Sequence, residues 1–558
     1  MTLTSRTALS ILAVLSVLAT SAQQDPPTGA NDLQVHGNFN IDGQLYNPDE
    51  EIGAVPPPED WGLNAWGNLI ITKGAFEAGL RLESYTPPLL GYPAGEPYTG
   101  SGLGYRYARY SQDDLDITVG NFFEQFGSGL AFRSYEERYL GVDNAMDGVR
   151  VKFKPTTGVY LKGFIGEQRL GFNSGFTKGP GVVRGVDLEL SLNELLDSLA
   201  VKGRNLVIGG SFVSKYQEDR DPLLELPENV GLWAARLNYL SPHWNLYAEY
   251  AHKINDPNSS NNNIYKDGEA LMFNATYVSK GLGVSAGVHS YDNMVFRSNR
   301  AAGPFDLNIN FLPPLAKQHT YNLPATLYPY ATQPNNEVAG QAEVFYKWKK
   351  GTALGGKYGT KLAVNGSVAY ALDTLRIVDD TVTYDGYTSS LFGTGDRMYF
   401  SDFNVELRKK VSSTWEFALT YLNLGFDIET VQGKPGKPLI YADMVILEGM
   451  HKLSDANSLR FELQHLSTKQ DHGNWATALV EFTFSPHWSL TVMDQYNYGG
   501  AVETDEIHYP LGSVAYTRGA SRIQVNYGRQ RAGIFCVGGV CRAVPAANGL
   551  TVSIASTF

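Results

Sequence analysis

Apolar and polar side chains alternate one for one through a long series of short segments, and the connections between those segments alternate in length. In 459–463, Leu459, Phe461 and Leu463 interleave with Arg460 and Glu462. In the next segment Ala476, Ala478, Val480, Phe482 and Phe484 point one way, and Thr477, Leu479, Glu481 and Thr483 the other. The chain ends on the same pattern, with Leu550, Val552, Ile554 and Phe558 set against Thr551, Ser553, Ala555 and Thr557. Successive strand residues face opposite sides, so each segment has one apolar and one mixed face. A soluble sandwich shares this pattern; the connections separate the two. Thr72-Lys73-Gly74, Gln112-Asp113, Thr156-Thr157, Ser241-Pro242-His243, Ser279-Lys280 and Val411-Ser412-Ser413 are short. Long stretches at 87–101, 123–145, 217–228, 254–266, 291–335 and 373–396 lie between them. Short turns at one end and long loops at the other are the signature of a transmembrane barrel.

The pattern predicts an all-β fold: one large, closed, antiparallel transmembrane β-barrel of about 24 strands, within 22–26, its lumen partly filled by inward-folded loops. An even count puts both termini on the periplasmic side. The N-terminus supports export. Arg6 supplies a positive flank, Ala8 to Leu18 an apolar run, and Thr20-Ser21-Ala22 a small-residue cleavage site. Residues 1–22 therefore read as a signal peptide and 23–558 as a single barrel domain. The apolar run is shorter than the roughly 20 residues of a spanning helix, and no run of that kind follows it. A chain held in a membrane without such helices must close its sheet. Hydrophobic residues are 43% of the chain, which does not oppose a barrel, because lumen and loop residues dilute the apolar band. The net charge of −12, with no basic cluster, disfavours nucleic acid.

Ser-Pro-His-Trp occurs twice, at Ser241–Trp244 and Ser485–Trp488. Both copies fall in short turns, so Trp244 and Trp488 are candidates for an interfacial aromatic belt, with the terminal Phe558. A terminal aromatic on an amphipathic last strand is also what barrel assembly machinery reads. The only cysteines, Cys536 and Cys541, flank Val537-Gly538-Gly539-Val540. A disulfide across a loop tip is the expectation in an exported chain. Free thiols are the alternative; a metal site lacks further ligands between them.

Three blocks resemble the uncharacterised Bacteroidota outer-membrane β-barrels. The first is Val119-Gly120-Asn121-Phe122-Phe123-Glu124-Gln125-Phe126-Gly127-Ser128-Gly129-Leu130, continuing through Arg133–Arg138 to Asp143-Asn144-Ala145. The second runs from Leu315-Ala316-Lys317-Gln318-His319-Thr320-Tyr321 to Leu327-Tyr328-Pro329-Tyr330, and the third is the cysteine loop with the last strand. The resemblance implies a barrel in the outer membrane of a Gram-negative bacterium. It implies no activity, so no catalytic residue is carried over.

The candidate site is 123–145, which holds Glu124, Arg133, Glu136, Glu137, Arg138 and Asp143. Phe122, Phe123, Phe126, Phe132 and Tyr135 would be awkward on an exposed loop. The loop is therefore expected to fold inward, its charges pairing across the lumen as a constriction. An ordinary solvated loop is the alternative. Segment 291–335, rich in Pro and aromatics, is either a second luminal lid or a surface platform. Gly351 to Lys357 has the glycine and lysine spacing of a phosphate loop, but Tyr358 stands where Ser or Thr should hold magnesium. His243, His252, His289, His319, His451 and His465 fall in no catalytic motif. No enzyme, cofactor or metal is expected, and alternation from Leu33 onward leaves no room for a globular plug domain. The expected function is a porin-like passage for solutes, partly occluded by its own loops. The alternative is a scaffold, adhesin or accessory subunit of an outer-membrane export or assembly complex. The expected partners are outer-membrane lipid and the assembly machinery.

Overall fold

The computed structural model describes residues 32–93, 99–170, 178–196, 203–303, 306–377, 384–499, 506–537 and 540–558; the expected signal peptide lies outside them. Twenty-four antiparallel strands form one sheet. Consecutive strands pair throughout, and the sheet closes: Gln34–Asn47 pairs with Trp61–Lys73 on one side and with the last strand, Ala547–Thr557, on the other. The closing register sets Asn38 against Thr557 and Asn47 against Asn548. Phe558 extends it, since Gly37 N–H donates to the Phe558 carbonyl at 2.8 Å and Phe558 N–H to the Gly37 carbonyl at 2.9 Å. The Phe558 ring lies over Gly37, where a Cβ would stand 2.9 Å from it.

The two ends of the barrel differ as the connections predict. Turns at 74–75, 113–114, 157–158, 280–281 and 519–520 join strands at one end. Loops at 48–60, 86–99, 123–145, 254–267, 293–335 and 531–546 join them at the other. Both sheet-closing strands have their outer ends, near Gln34 and Thr557, on the short-turn side. Two connections depart from the rule. Residues 192–204 begin with a helical turn, Leu192–Leu195. Residues 349–359, the phosphate-loop lookalike, form a local turn in which the Thr352 hydroxyl donates to the Lys349 carbonyl at 2.8 Å.

The stretch 373–396, read from sequence as loop, is a correction. Strands Thr360–Arg376 and Tyr387–Lys410 take up most of it. They continue past the neighbouring strands through irregular register between Ala369 and Thr374. Their upper part is mostly polar, with Leu375, Leu391 and Phe392 falling in no regular alternation, so it lacks the continuous apolar face by which a strand in hydrocarbon is recognised.

The outer surface carries the apolar set. Val119, Ile165, Val186, Phe273, Val445 and Val492 are all exposed on strands. Contiguous exposed apolar surface of this extent is untenable in water and natural against lipid. Among the described residues no helix is long and apolar enough to cross a membrane. At the short-turn end the two Ser-Pro-His-Trp copies place their His and Trp against the next strand in the same way. Trp244 lies 4.8 Å from the Tyr277 ring, and Trp488 lies 4.8 Å from that of Tyr516. His243 Nδ1 reaches the Val278 carbonyl at 2.9 Å; His487 Nδ1 reaches that of Thr517 at 2.8 Å. Both tryptophans are about half exposed on the outer rim.

Candidate functional site

The inner face of the barrel is where the long loops go. Two apolar clusters form there, each made of loop residues packed on inward-facing strand residues. In the first, Phe126, Leu130 and Phe132 are fully buried with Val183, Val213 and Leu232 of the wall. Phe132 lies 4.2 Å from the ring of Phe164, which belongs to the strand Val159–Arg169. The tip of 123–145 reaches strands much further round the barrel. Ser128 N–H donates to the Glu249 carboxylate at 2.9 Å. Gly127 has φ +53° there, and a Cβ would stand 2.6 Å from Glu249. A glycine is needed on both counts.

Segment 293–335 also lies inside, which resolves the choice left open by sequence. Its short helix, Asn322–Leu327, buries Leu323, Pro324 and Leu327. Ahead of the helix the segment runs along the wall. Leu315 lies against Gly287, Lys317 donates to Asn404 at 3.0 Å, and His319 Nε2 is 2.7 Å from Asp402. At its far end Tyr330 donates to Glu337 at 2.7 Å, and the other oxygen of that carboxylate meets His289 Nε2 at 2.7 Å. The two long loops are joined. Arg133 N–H donates to the Ile309 carbonyl at 2.9 Å, Phe311 N–H to that of Gly129 at 2.9 Å, and the Asn144 amide to that of Asn308 at 2.8 Å. They form one hydrogen-bonded body against the inner wall.

The six charges expected to pair across the lumen divide. Glu136 and Asp143, on a two-residue hairpin, converge on wall arginines: Arg81 meets Glu136 at 2.9 Å and Asp143 at 2.6 Å. Arg169 also binds Asp143 and meets Glu83 at 2.6 Å, while Glu83 pairs back to Arg81. Glu124 faces a cationic patch, with Lys152 at 2.7 Å and Lys162 at 3.5 Å. Arg138 binds Glu136 and lies 3.6 Å above the Trp66 ring. Arg133 instead stacks on Phe311 at 4.1 Å and on Tyr135 at 4.7 Å. Glu137 makes no ion pair among the described residues.

Burial acts on these groups in opposed ways. Glu136 is raised by burial and by the nearby Asp143, which outweigh Arg81 and Arg138. Burial would raise Asp143 too, but Arg169 and Arg81, both on its Oδ2, and the Ala145 N–H on its Oδ1 hold it below the usual aspartate range. The wall partners Arg81, Glu83 and Arg169 escape a reading of the loop alone. Their signal was the Arg-Leu-Glu triplet at 81–83, two opposite charges on one face of a strand whose intervening residue is apolar.

Nearer the short turns the wall is charged as well, and Tyr321 of the segment 293–335 lies close to Glu406, Arg408 and Glu448 there. Arg408 pairs with Glu448 at 3.1 Å and Glu406 at 3.2 Å; Arg460 pairs with Glu448 at 3.0 Å and with Glu462. Among the described residues no cluster could hold a metal ion. Register sets Cys536 opposite Cys541 in the hairpin Gly533–Val537 with Val540–Val544. The structure does not support the disulfide expected there, because the two side chains lie outside the described residues.

No curated protein matches this chain. Solved structures with a similar path include the siderophore receptor PirA from Pseudomonas aeruginosa, at TM-score 0.37 and 12% identity, over 96% of this chain and 82% of that one. The P pilus usher PapC translocation pore matches at TM-score 0.39 and 9% identity, over 94% and 99%. Pseudomonas aeruginosa OccD3 matches at 0.36 and 12%, over 83% and 95%. Scores this low carry no argument about what the chain does. The family model is decisive, because it runs over residues 5–558: the chain belongs to the family described as a family of unknown function, DUF6029.

Proposed function

We propose that this protein is a porin-like passage for solutes through the outer membrane of a Gram-negative bacterium, partly occluded by its own loops. On this reading residues 1–22 direct export and are removed, and the origin is the Bacteroidota that the resemblance implies. The observation that carries the proposal is the division of the inner wall. Buried ion pairs anchor 123–145 at one end, and toward the short turns the wall carries an inward-facing charged lining, Arg408, Glu448 and Arg460, which Tyr321 of 293–335 approaches. A sheet needed only as a membrane anchor has no use for an aqueous charged lining. Glu124, Glu136, Arg138 and Asp143 then set the loop's seat, and Arg133 holds its second half against 293–335.

The test is conductance of the purified protein in planar bilayers. Stable open-channel steps are expected, and R133Q with R138Q should alter step size or ion selectivity. Electrical silence together with a stoichiometric co-purifying protein would favour a scaffold or accessory subunit instead.

A further inference from the structure

Beside the loop body, at the long-loop end, lies a cavity of about 490 Å³. Its place follows from its lining: Gln44 is near the upper end of Gln34–Asn47, Tyr509 and Leu511 near the upper end of Ile507–Arg518, and Ala547 begins the last strand. Most of the lining is apolar, from Leu89, Leu90, Tyr139, Leu511 and Val544. Set into it are three arginines, Arg529, Arg531 and Arg542.

Arg529 is neutralised, with Asp49 at 2.7 Å and Glu51 at 2.6 Å. The other two are not. Arg531 lies 5.3 Å over the Trp475 ring, donates to Gln495 at 3.2 Å and to the Thr326 hydroxyl, and has no paired carboxylate among the described residues. Asp471, which acts on it through space, is engaged by the Tyr328 hydroxyl at 3.3 Å. Arg542 lies 5.3 Å over the Tyr92 ring, and its Nε and Nη1 are buried with no hydrogen-bond partner among the described residues. Burial pushes the Arg531 guanidinium down to about 10 and lowers that of Arg542. Guanidiniums drawn out of water without counter-charges among the described residues are costly, and buried donors left unpaired add to the cost. An arginine fork is matched in shape by a carboxylate.

We propose that this cavity is a binding site for a small organic anion, a carboxylate carried on an apolar body. Arg531 and Arg542 take the carboxylate, and Leu89, Leu90, Leu511 and Val544 take the rest. The volume suits such a ligand, since pockets for small molecules run from roughly 300 to 1,000 Å³ with a few polar groups in an apolar lining. This goes beyond solute passage: occupancy of the outer mouth does not require the lumen to conduct.

The test uses the full mature chain in detergent, titrated calorimetrically with 4-phenylbutyrate, with its neutral amide and with inorganic phosphate. Saturable binding of one carboxylate per chain is expected, at least tenfold tighter than the amide or phosphate. R531Q and R542Q should each weaken it at least fivefold. L511W fills the cavity from the wall while leaving both arginines in place, and should weaken it as much even if an arginine variant fails to fold. Folding is verified by heat-modifiable migration on gels. Equal binding of the amide or phosphate, absence of saturable binding, or unchanged affinity in L511W overturns the proposal. None of these outcomes bears on conductance, so the channel reading is tested separately.

Discussion

Asp143 is shared by two arginines that come from strands on either side of it in sequence, Arg81 of Phe76–Tyr85 and Arg169 of Val159–Arg169. Removing its charge leaves both guanidiniums short of a partner in a buried site, where breaking an ion pair costs about 3–5 kcal/mol. D143N should therefore raise hydrogen exchange throughout 123–145 while leaving the strands protected. E137Q, at a carboxylate without an ion pair, should change little. The pH dependence follows from the same residue. Its pKa is lowered on folding, so its contribution is full above the unfolded value near 3.9 and is lost as pH falls through the lower folded value. Glu136, whose pKa is raised, works the other way and gains nothing from higher pH. Exchange in 123–145 should thus stay low from neutrality to about pH 4 and rise only below it. Loosening already complete at pH 6 would contradict this assignment. These pairings were invisible in the sequence because their partners are far apart in the chain, as Arg81 and Asp143 are. What the sequence did show was the misfit: Phe126 and Phe132 could not sit on a solvated loop, and both are fully buried.

A strand in this wall has neighbours with opposite fates. On Trp488–Gly499, Val492 faces outward and is two-thirds exposed, whereas Thr491 faces inward, opposite Glu481 in the register. An arginine on the lipid face near mid-membrane costs roughly 2–4 kcal/mol. V492R should lower barrel stability in urea titrations by that amount, and T491R, beside Glu481, should be tolerated. Equal effects would mean that the two faces do not differ in environment. Strands of this kind were legible because period-two alternation is local and the short turns punctuate it. The misreading of 373–396 has the same origin: Thr388, Ser389 and Ser390 lie in a strand that rises beyond the apolar band, so no alternation marks them. The two Ser-Pro-His-Trp turns were legible as a repeat, but not their Trp–Tyr and His–carbonyl contacts, which come from the next strand.

Closure of the whole sheet was readable from chemistry alone, since an amphipathic sheet in hydrocarbon cannot leave an edge unpaired. What fills it was not. The inward path of 293–335 depends on His319 meeting Asp402, Leu323 N–H meeting Gln464 and Tyr330 meeting Glu337. No local pattern announces these contacts, and a Pro-rich and aromatic segment is equally suited to an outer platform. The structure brings the segment and 123–145 together as one body seated against the wall. Solute passage should then be limited by that body and not by the diameter of the sheet. The decisive measurement is single-channel conductance of the intact chain beside a variant in which 312–332 is replaced by a short Gly-Ser linker. Both should insert as stable barrels, and the shortened chain should conduct several-fold more; a variant that inserts but conducts no more than its parent would contradict the account.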